Sequence, residues 1–429
     1  MHIALVCPIS PGHVNPIATL GRELAGRGHR IGLVGSPRAK PIADAWGFEL
    51  LTIGVPEYET GEFEKALEKL AALKGLAAMR LTGQIFHKHT RVLLRDAPEV
   101  LRGAGVEAMI VDQVTLAGAA LADALRLPLV VACNALAMNQ EAQVPPPVLG
   151  WRYRSGFLGR LRNRLGNRLL ELTVRPITRT ISEFRARHGL GPFRFRDVAE
   201  VGLAQVAQQP AFFDYPRAEL PPHFHYTGPW HEPTRGSEST PFPWEKLDGR
   251  PLVYASLGTM QNRLHPVFRA ILDACAELPV QVVLSLGNAD AAWDDGPLPP
   301  NAILVPFAPQ LSLLDRASLL ITHAGLNTVL EGLSRGLPML CMPVANDQPG
   351  VARRVEWLGA GEVLKPQHAT KERIRASIEK LLTDNYRQAA QRCRRQLEGN
   401  RGVVRAADIV EEAFGSRQRV ERRGQGQNA

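Results

Sequence analysis

The sequence predicts an α/β protein made of two parallel-sheet domains that face one another across a cleft. Three observations carry that expectation. The chain opens with a strand, loop, helix, strand pattern; the same idiom starts afresh after residue 250; and a stretch rich in Gly, Pro, Ser and Thr separates the two. At 429 residues the chain is also too long for one ordinary core.

Residues 3–7, IALVC, are a short apolar run of strand length. SPGHVNP follows as a Gly/Pro loop, IATLGRELAGRGH has apolar residues at helical spacing, and IGLVGS is a second strand. This order is the repeat of a parallel sheet wound with crossover helices. Farther on, AMIVD (108–112) and LPLVVAC (127–133) flank a helical LAGAALADALR. The second half runs PLVYASLGT (251–259), a helix over VFRAILDACAEL, then VQVVLSLG, AILVPF, SLLITHAG, a helix through Glu331, and LPMLCMP. Between the halves, GPWHEPTRGSESTPFPW (228–244) has little apolar pattern, as a linker does. The expected domains are 1–228 and 244–415, joined by a linker at 229–243, with room for the last helix to pack back on the first domain. Residues 416–429, with Arg417, Arg419, Arg422 and Arg423, are expected to form a disordered basic tail. In open parallel sheets ligands bind beyond the carboxyl ends of the strands, so both halves should offer those loops to the cleft.

Composition excludes several classes. With 45% hydrophobic and 22% charged residues the chain reads as globular rather than disordered. Cys7, Cys133, Cys275, Cys341 and Cys393 form no CxxC pair and have no histidine at zinc spacing, so neither a metal site nor a disulfide framework is expected. Reduced thiols point to the cytoplasm. No basic leader precedes the first apolar run and no stretch approaches ~18 apolar residues, so neither a signal peptide nor a membrane span is expected. The net charge of +9 is a modest excess over this length, and no aromatic–basic platform accompanies it; no nucleic-acid partner is expected.

The most informative stretch is ITHAGLNTVLEG (321–332). A helix starting near Gly325 to Asn327 exposes unpaired N–H groups and the positive end of its dipole, a ready site for a phosphate. Asn327 and Glu331 share a helix face, so Glu331 could take ribose hydroxyls while the helix start holds a diphosphate. The plainer reading is a capped helix with His323 as a satisfied loop residue. SLGT (256–259), at the end of another strand, adds small residues that let backbone approach an anion: Ser256, Gly258 and Thr259. Neither a Walker loop nor GxGxxG occurs, which argues against ATPases and simple dinucleotide enzymes.

FAPQ, ITHAGLNTVLEGLSRGLPMLCMP and NDQ, spanning Phe307 to Gln348, resemble the donor-binding signature of family 1 glycosyltransferases, which have the GT-B fold of two Rossmann-like domains. The resemblance implies a UDP-sugar donor, with Phe307 stacked on the uracil and Gln310 beside it. It gives the diphosphate to His323, Asn327 and Thr328, the ribose to Glu331, and the sugar hydroxyls to Asp347 and Gln348. Phe stands where the family has Trp at 307, and Ala where Gly is frequent at 324.

The resemblance also gives His13, in PGHVNP, the role of the base that takes the acceptor hydroxyl's proton. Such a base contributes a rate factor on the order of 10²–10⁴. Asp112, ending AMIVD, would fix the tautomer and stabilise the imidazolium. Attack from the back of the anomeric carbon inverts its configuration. Helix dipole, N–H groups and His323 would meet the leaving group's charge, so no metal and no cofactor is expected.

GFLGRLRNRLGNRLLELTVRP places Phe157, Leu161, Leu165, Leu169 and Leu172 at spacings of four and three with arginines between. Either that stripe packs on the amino-terminal domain, or residues 152–172 rest on an anionic membrane surface. VVACNALAMNQEAQVPPP, FHYTGPWH and SLGTMQNR are most similar to bacterial zeaxanthin glucosyltransferases, which implies a hydrophobic, hydroxylated carotenoid as acceptor and glucose as the sugar. Macrolide and flavonoid glycosyltransferases share the donor motif. A UDP-sugar epimerase of the same architecture and an inactive nucleotide-sugar-binding protein remain the other readings.

Overall fold

The computed structural model describes residues 1–61, 65–66, 69, 75–230, 240–258, 264–287, 293 and 295–426. Among them lie two wholly parallel sheets. The first is built from β1 (His2–Val6), β2 (Arg30–Gly35), β3 (Glu49–Thr52), β4 (Ala108–Asp112), β5 (Leu129–Cys133), β6 (Ala204–Ala207) and β7 (Phe224–Tyr226), in the order β3-β2-β1-β4-β5-β6-β7. The second is built from β8 (Leu252–Ser256), β9 (Gln281–Ser285), β10 (Ala302–Val305), β11 (Ala317–Thr322), β12 (Met339–Cys341) and β13 (Gly361–Val363), in the order β10-β9-β8-β11-β12-β13. Helices cover both faces, so the central strands are buried on both sides and read as unbroken apolar runs rather than alternating ones.

In each sheet the order in which strands are added reverses once, at β1/β4 and at β8/β11. The loops leaving such a pair splay apart and leave a crevice. His13 follows β1, Asp112 ends β4, Gly258 follows β8 and His323 follows β11. The two switch points therefore carry the residues singled out by sequence.

Three features differ from the sequence expectation. PGHVNP is not a loop: the helix begins at Pro11, with Ser10 extended as its N-cap, because proline pre-sets the first helical φ and gives up an N–H that would be unpaired there anyway. The short strands β3, β6, β7 and β13 had no clear pattern of their own. The final helix, Gly402–Gly426, runs on into the stretch expected to be disordered, where Arg, Gln and Glu are good helix formers and nothing breaks the turn before Gly424. Its Ala406, Ala407, Val410 and Phe414 lie in one core cluster with Ile17 and Leu20, and Arg27 bonds Asp408 and Glu411. The final helix thus packs back on the first domain. Within the linker, residues 231–239 lie outside those described.

Candidate functional site

β1 and β4 are hydrogen-bonded neighbours, so their carboxyl ends lie side by side. The first turn after β1 presents His13, and Asp112 is the last residue of β4 and wholly buried. His13 Nδ1 lies 2.7 Å from Asp112 Oδ2. Asn134, just past β5, donates through Nδ2 to the same Oδ2 (3.0 Å) and to the His13 carbonyl (3.1 Å), while the Val114 N–H donates to Oδ1 (3.0 Å). A carboxylate only accepts, so this network puts a proton on Nδ1 and leaves Nε2 with its lone pair. Burial pulls the imidazole pKa down, but the charge and hydrogen bond of Asp112, helped by Asp347, outweigh it and hold His13 above the ordinary histidine value. A quarter of the His13 side chain still reaches solvent.

Across the cleft, the helix Leu326–Ser334 starts from Gly325 with no side-chain cap, and its first internal bond runs from Val329 N to Gly325 O. The N–H groups of the first turn are thus not consumed by the helix. His323 lies between two glycines. A Cβ on Gly325 would stand 2.6 Å from Nε2, and one on Gly258, whose φ is +89°, 3.2 Å from it. Burial drives the His323 pKa down to about 4, against a hydrogen bond to the Ser256 main chain, so the ring is neutral. Among the described residues its buried Nδ1 has no partner. Ala324, at the position where glycine is frequent, holds a left-handed φ of 65°.

Next to that loop, Gln310 Nε2 donates to Glu331 Oε2 (2.6 Å) and contacts Thr328 Oγ1 (3.4 Å), and Tyr254 donates to Gln310 Oε1 (3.3 Å). Phe307 is 43% exposed, an aromatic face open to a planar ligand. Asp347 lies at the start of the helix Gln348–Trp357, and its side chain accepts from the Leu136 N–H of the first domain (3.2 Å); burial raises its pKa.

The structure therefore brings together Ser256, Gly258, Phe307, Gln310, His323, Gly325, Thr328, Glu331 and Asp347 from the second domain, facing His13 and Asp112 from the first, with Asp347 bonded across to the Leu136 N–H. Two residues are engaged differently from the sequence reading. Asn327, given to the diphosphate, donates to the Gly12 carbonyl (3.2 Å) and accepts from Gln208 (2.8 Å), tying the two domains. Gln348, given to the sugar, accepts from Val344 and Ala345 N–H (both 2.9 Å) and so shapes the turn beside Asp347. Thr259 lies outside the described residues. Sequence reasoning missed Asn134 and Gln208. For Asn134 the signal available was position, a polar residue directly after the apolar run of β5; Gln208 follows β6, AQVA, which has no such run.

Residues 58–396 match the model of the family described as UDP-glucoronosyl and UDP-glucosyl transferase. The chain is 30% identical to a zeaxanthin glucosyltransferase of Pantoea ananas, over 96% of each chain. It is 31% identical to one of Pseudescherichia vulneris, over 98% of this chain and 99% of that one. Among solved structures it is similar to a calicheamicin glycosyltransferase: 26% identical, 96% and 98% of the two chains covered, TM-score 0.76. The fold is GT-B, and the chain belongs to the UDP-glucoronosyl and UDP-glucosyl transferase family of glycosyltransferases.

Proposed function

We propose that this glycosyltransferase moves glucose from UDP-glucose to a hydroxyl of a hydroxylated carotenoid such as zeaxanthin, in the cytoplasm and with inversion at the anomeric carbon. The observation that carries the chemistry is the His13–Asp112 pair set across the cleft from the uncapped helix at Gly325. Two relatives matched over nearly the whole chain and named for zeaxanthin support the acceptor.

His13 Nε2 takes the acceptor's proton as its oxygen bonds the anomeric carbon. The bond from that carbon to the UDP oxygen breaks, and UDP leaves with the electron pair. Asp112 stabilises the imidazolium. The first-turn N–H groups and neutral His323 meet the diphosphate, Glu331 the ribose, Phe307 the uracil, and Asp347 the sugar together with the Nε2 of Gln348, whose Oε1 is held by the turn. Nothing in this arrangement calls for a metal.

The test is mass spectrometry of the purified enzyme with UDP-glucose and detergent-dispersed zeaxanthin, beside a macrolide and a flavonoid. A carotenoid heavier by one or two hexoses is the expected product. Sugar on another acceptor alone would keep the mechanism and discard the carotenoid. UDP released, or a new sugar formed, without any acceptor would discard transfer.

A further inference from the structure

We infer that the amino-terminal half of the helix Phe157–Arg187 is a docking surface for an anionic lipid bilayer. This inference goes beyond the acceptor assignment and does not need it. Phe157 and Leu158 are 75% and 76% exposed, Leu165, Leu169 and Leu172 between 56% and 63%, and Leu161 43%. At ~100° per residue those six side chains fall within an arc of about 120°, a continuous ridge roughly 22 Å long. No other helix among the described residues exposes so many large apolar side chains together.

The ridge faces outward because the opposite side of the helix is fixed. Gly159, Asn163 and Gly166 are buried. Asn163 donates to the Ala142 carbonyl (3.0 Å), and a Cβ on Gly166 would come within 2.7 Å of the Trp151 ring. Farther along, Ile177, Ile181 and Phe184 anchor the helix in the first domain's core. The helix therefore has two apolar faces, one packed and one bare. Packing of the leucine stripe on the amino-terminal domain, the plainer sequence reading, is not what the structure shows.

Charge selects the occupant. Arg160, Arg164 and Arg168 are exposed along one flank of the ridge, with no ion-pair partner among the described residues, and no acid occurs between residues 152 and 170. A second copy packed about a two-fold axis would set this same basic face against itself. A bilayer carrying anionic headgroups satisfies both features: the arginines meet phosphates while the leucines and Phe157 enter the acyl boundary. The ridge is also joined to the site. The segment beneath it runs back to the turn after Asp347, where Pro147 lies against Gly350 and Gly150 against Pro349. A lipid-dissolved acceptor would thus enter beside the sugar position.

The experiment is flotation of the purified full-length protein with vesicles of phosphatidylcholine alone or mixed with phosphatidylglycerol, at low and raised salt. The expected result is flotation with the anionic vesicles only, weakened by salt. Leu165→Glu with Leu169→Glu should lower partitioning by roughly 10- to 100-fold. Arg164→Gln with Arg168→Gln should erase the preference for anionic vesicles. These positions are exposed, so circular dichroism and UDP binding should stay as in the wild type. Equal flotation of the leucine variant, no discrimination between vesicle types, or a wild type that ignores vesicles but forms dimers broken by the same substitutions would each overturn the inference. Because the readout is lipid binding without acceptor, a wrong carotenoid assignment leaves it standing.

Discussion

Gly325→Ala tests the donor side at one methyl group. Gly325 has φ −63°, which any residue adopts, so the substitution brings no backbone strain of its own. Its Cβ would stand 2.6 Å from His323 Nε2 and 3.0 Å from Cε1, inside the 3.4 Å at which ordinary contact begins. The ring cannot retreat freely, since Gly258 lies against it on a second side. Overpacking of this kind costs about 1–3 kcal/mol of stability. Displacing the ring also removes one charge-assisted hydrogen bond to the diphosphate, worth about 1.5–3 kcal/mol, or roughly 10- to 100-fold in UDP affinity. Isothermal titration with UDP and a thermal melt check the two effects separately. Gly258→Ala is the poorer probe, because its φ of +89° would add strain to any steric effect. Wild-type UDP affinity in Gly325→Ala would refute the placing of His323 against the diphosphate, whatever the melt showed.

His13→Ala is expected to lower kcat by a factor on the order of 10²–10⁴, with UDP affinity kept; retained turnover would remove His13 from the chemistry. The rate should rise with pH as His13 loses its proton, with a midpoint above the ordinary value of ~6.5, since Asp112 and Asp347 favour the protonated ring. In Asp112→Asn that midpoint should move to lower pH as kcat falls, and an unmoved acid limb in a pH–rate series would break the link between the two residues. Asn327→Ala removes the bonds to Gly12 and Gln208; it should reduce kcat through misalignment by about 10-fold or more, with UDP affinity falling less, as steady-state kinetics beside titration would show. Arg354 and Asp214 are both 1% exposed and bond at 2.6 Å across the domains. Arg354→Met should cost about 3–5 kcal/mol in chemical denaturation by leaving a buried charge under-compensated.

The architecture was legible because buried parallel strands read as unbroken apolar runs: AMIVD is β4 residue for residue. Short edge strands such as β7 and β13 were not, since three residues carry no periodicity and their pairing is decided by neighbours far away in sequence. The start of the first helix was hidden by Pro11 and Gly12, which read as loop residues although proline suits the first turn. At the site, residues tied to one local motif were legible, as with His323 and Glu331. Asn134 and Gln208 were not, because their roles come from partners 121 and 119 positions away. The leucine ridge was visible as a pattern, but which way it faced depended on Gly159 and Gly166 packing closely, which spacing alone does not reveal.

On the proposed mechanism, the two cleft histidines need opposite properties, and their surroundings supply them. His13 has to accept a proton and hold the resulting charge; Asp112 bonds it directly and Asp347 adds its field, so the imidazolium forms beside two carboxylates. His323 has to bond an anion without itself titrating; burial between Gly258 and Gly325 keeps it neutral, with its pKa near 4. The positive character offered to the leaving diphosphate then comes from fixed N–H dipoles, which need no reorganisation as the bond breaks. Asn327 couples the halves, because it sits in the first turn of the donor helix and bonds the carbonyl of Gly12, the residue before the base. Opening the cleft as two rigid bodies would break that bond together with those from Gln208 to Asn327 and from Leu136 to Asp347. Base, sugar and leaving group are therefore aligned in the closed arrangement and in no arrangement that separates the domains.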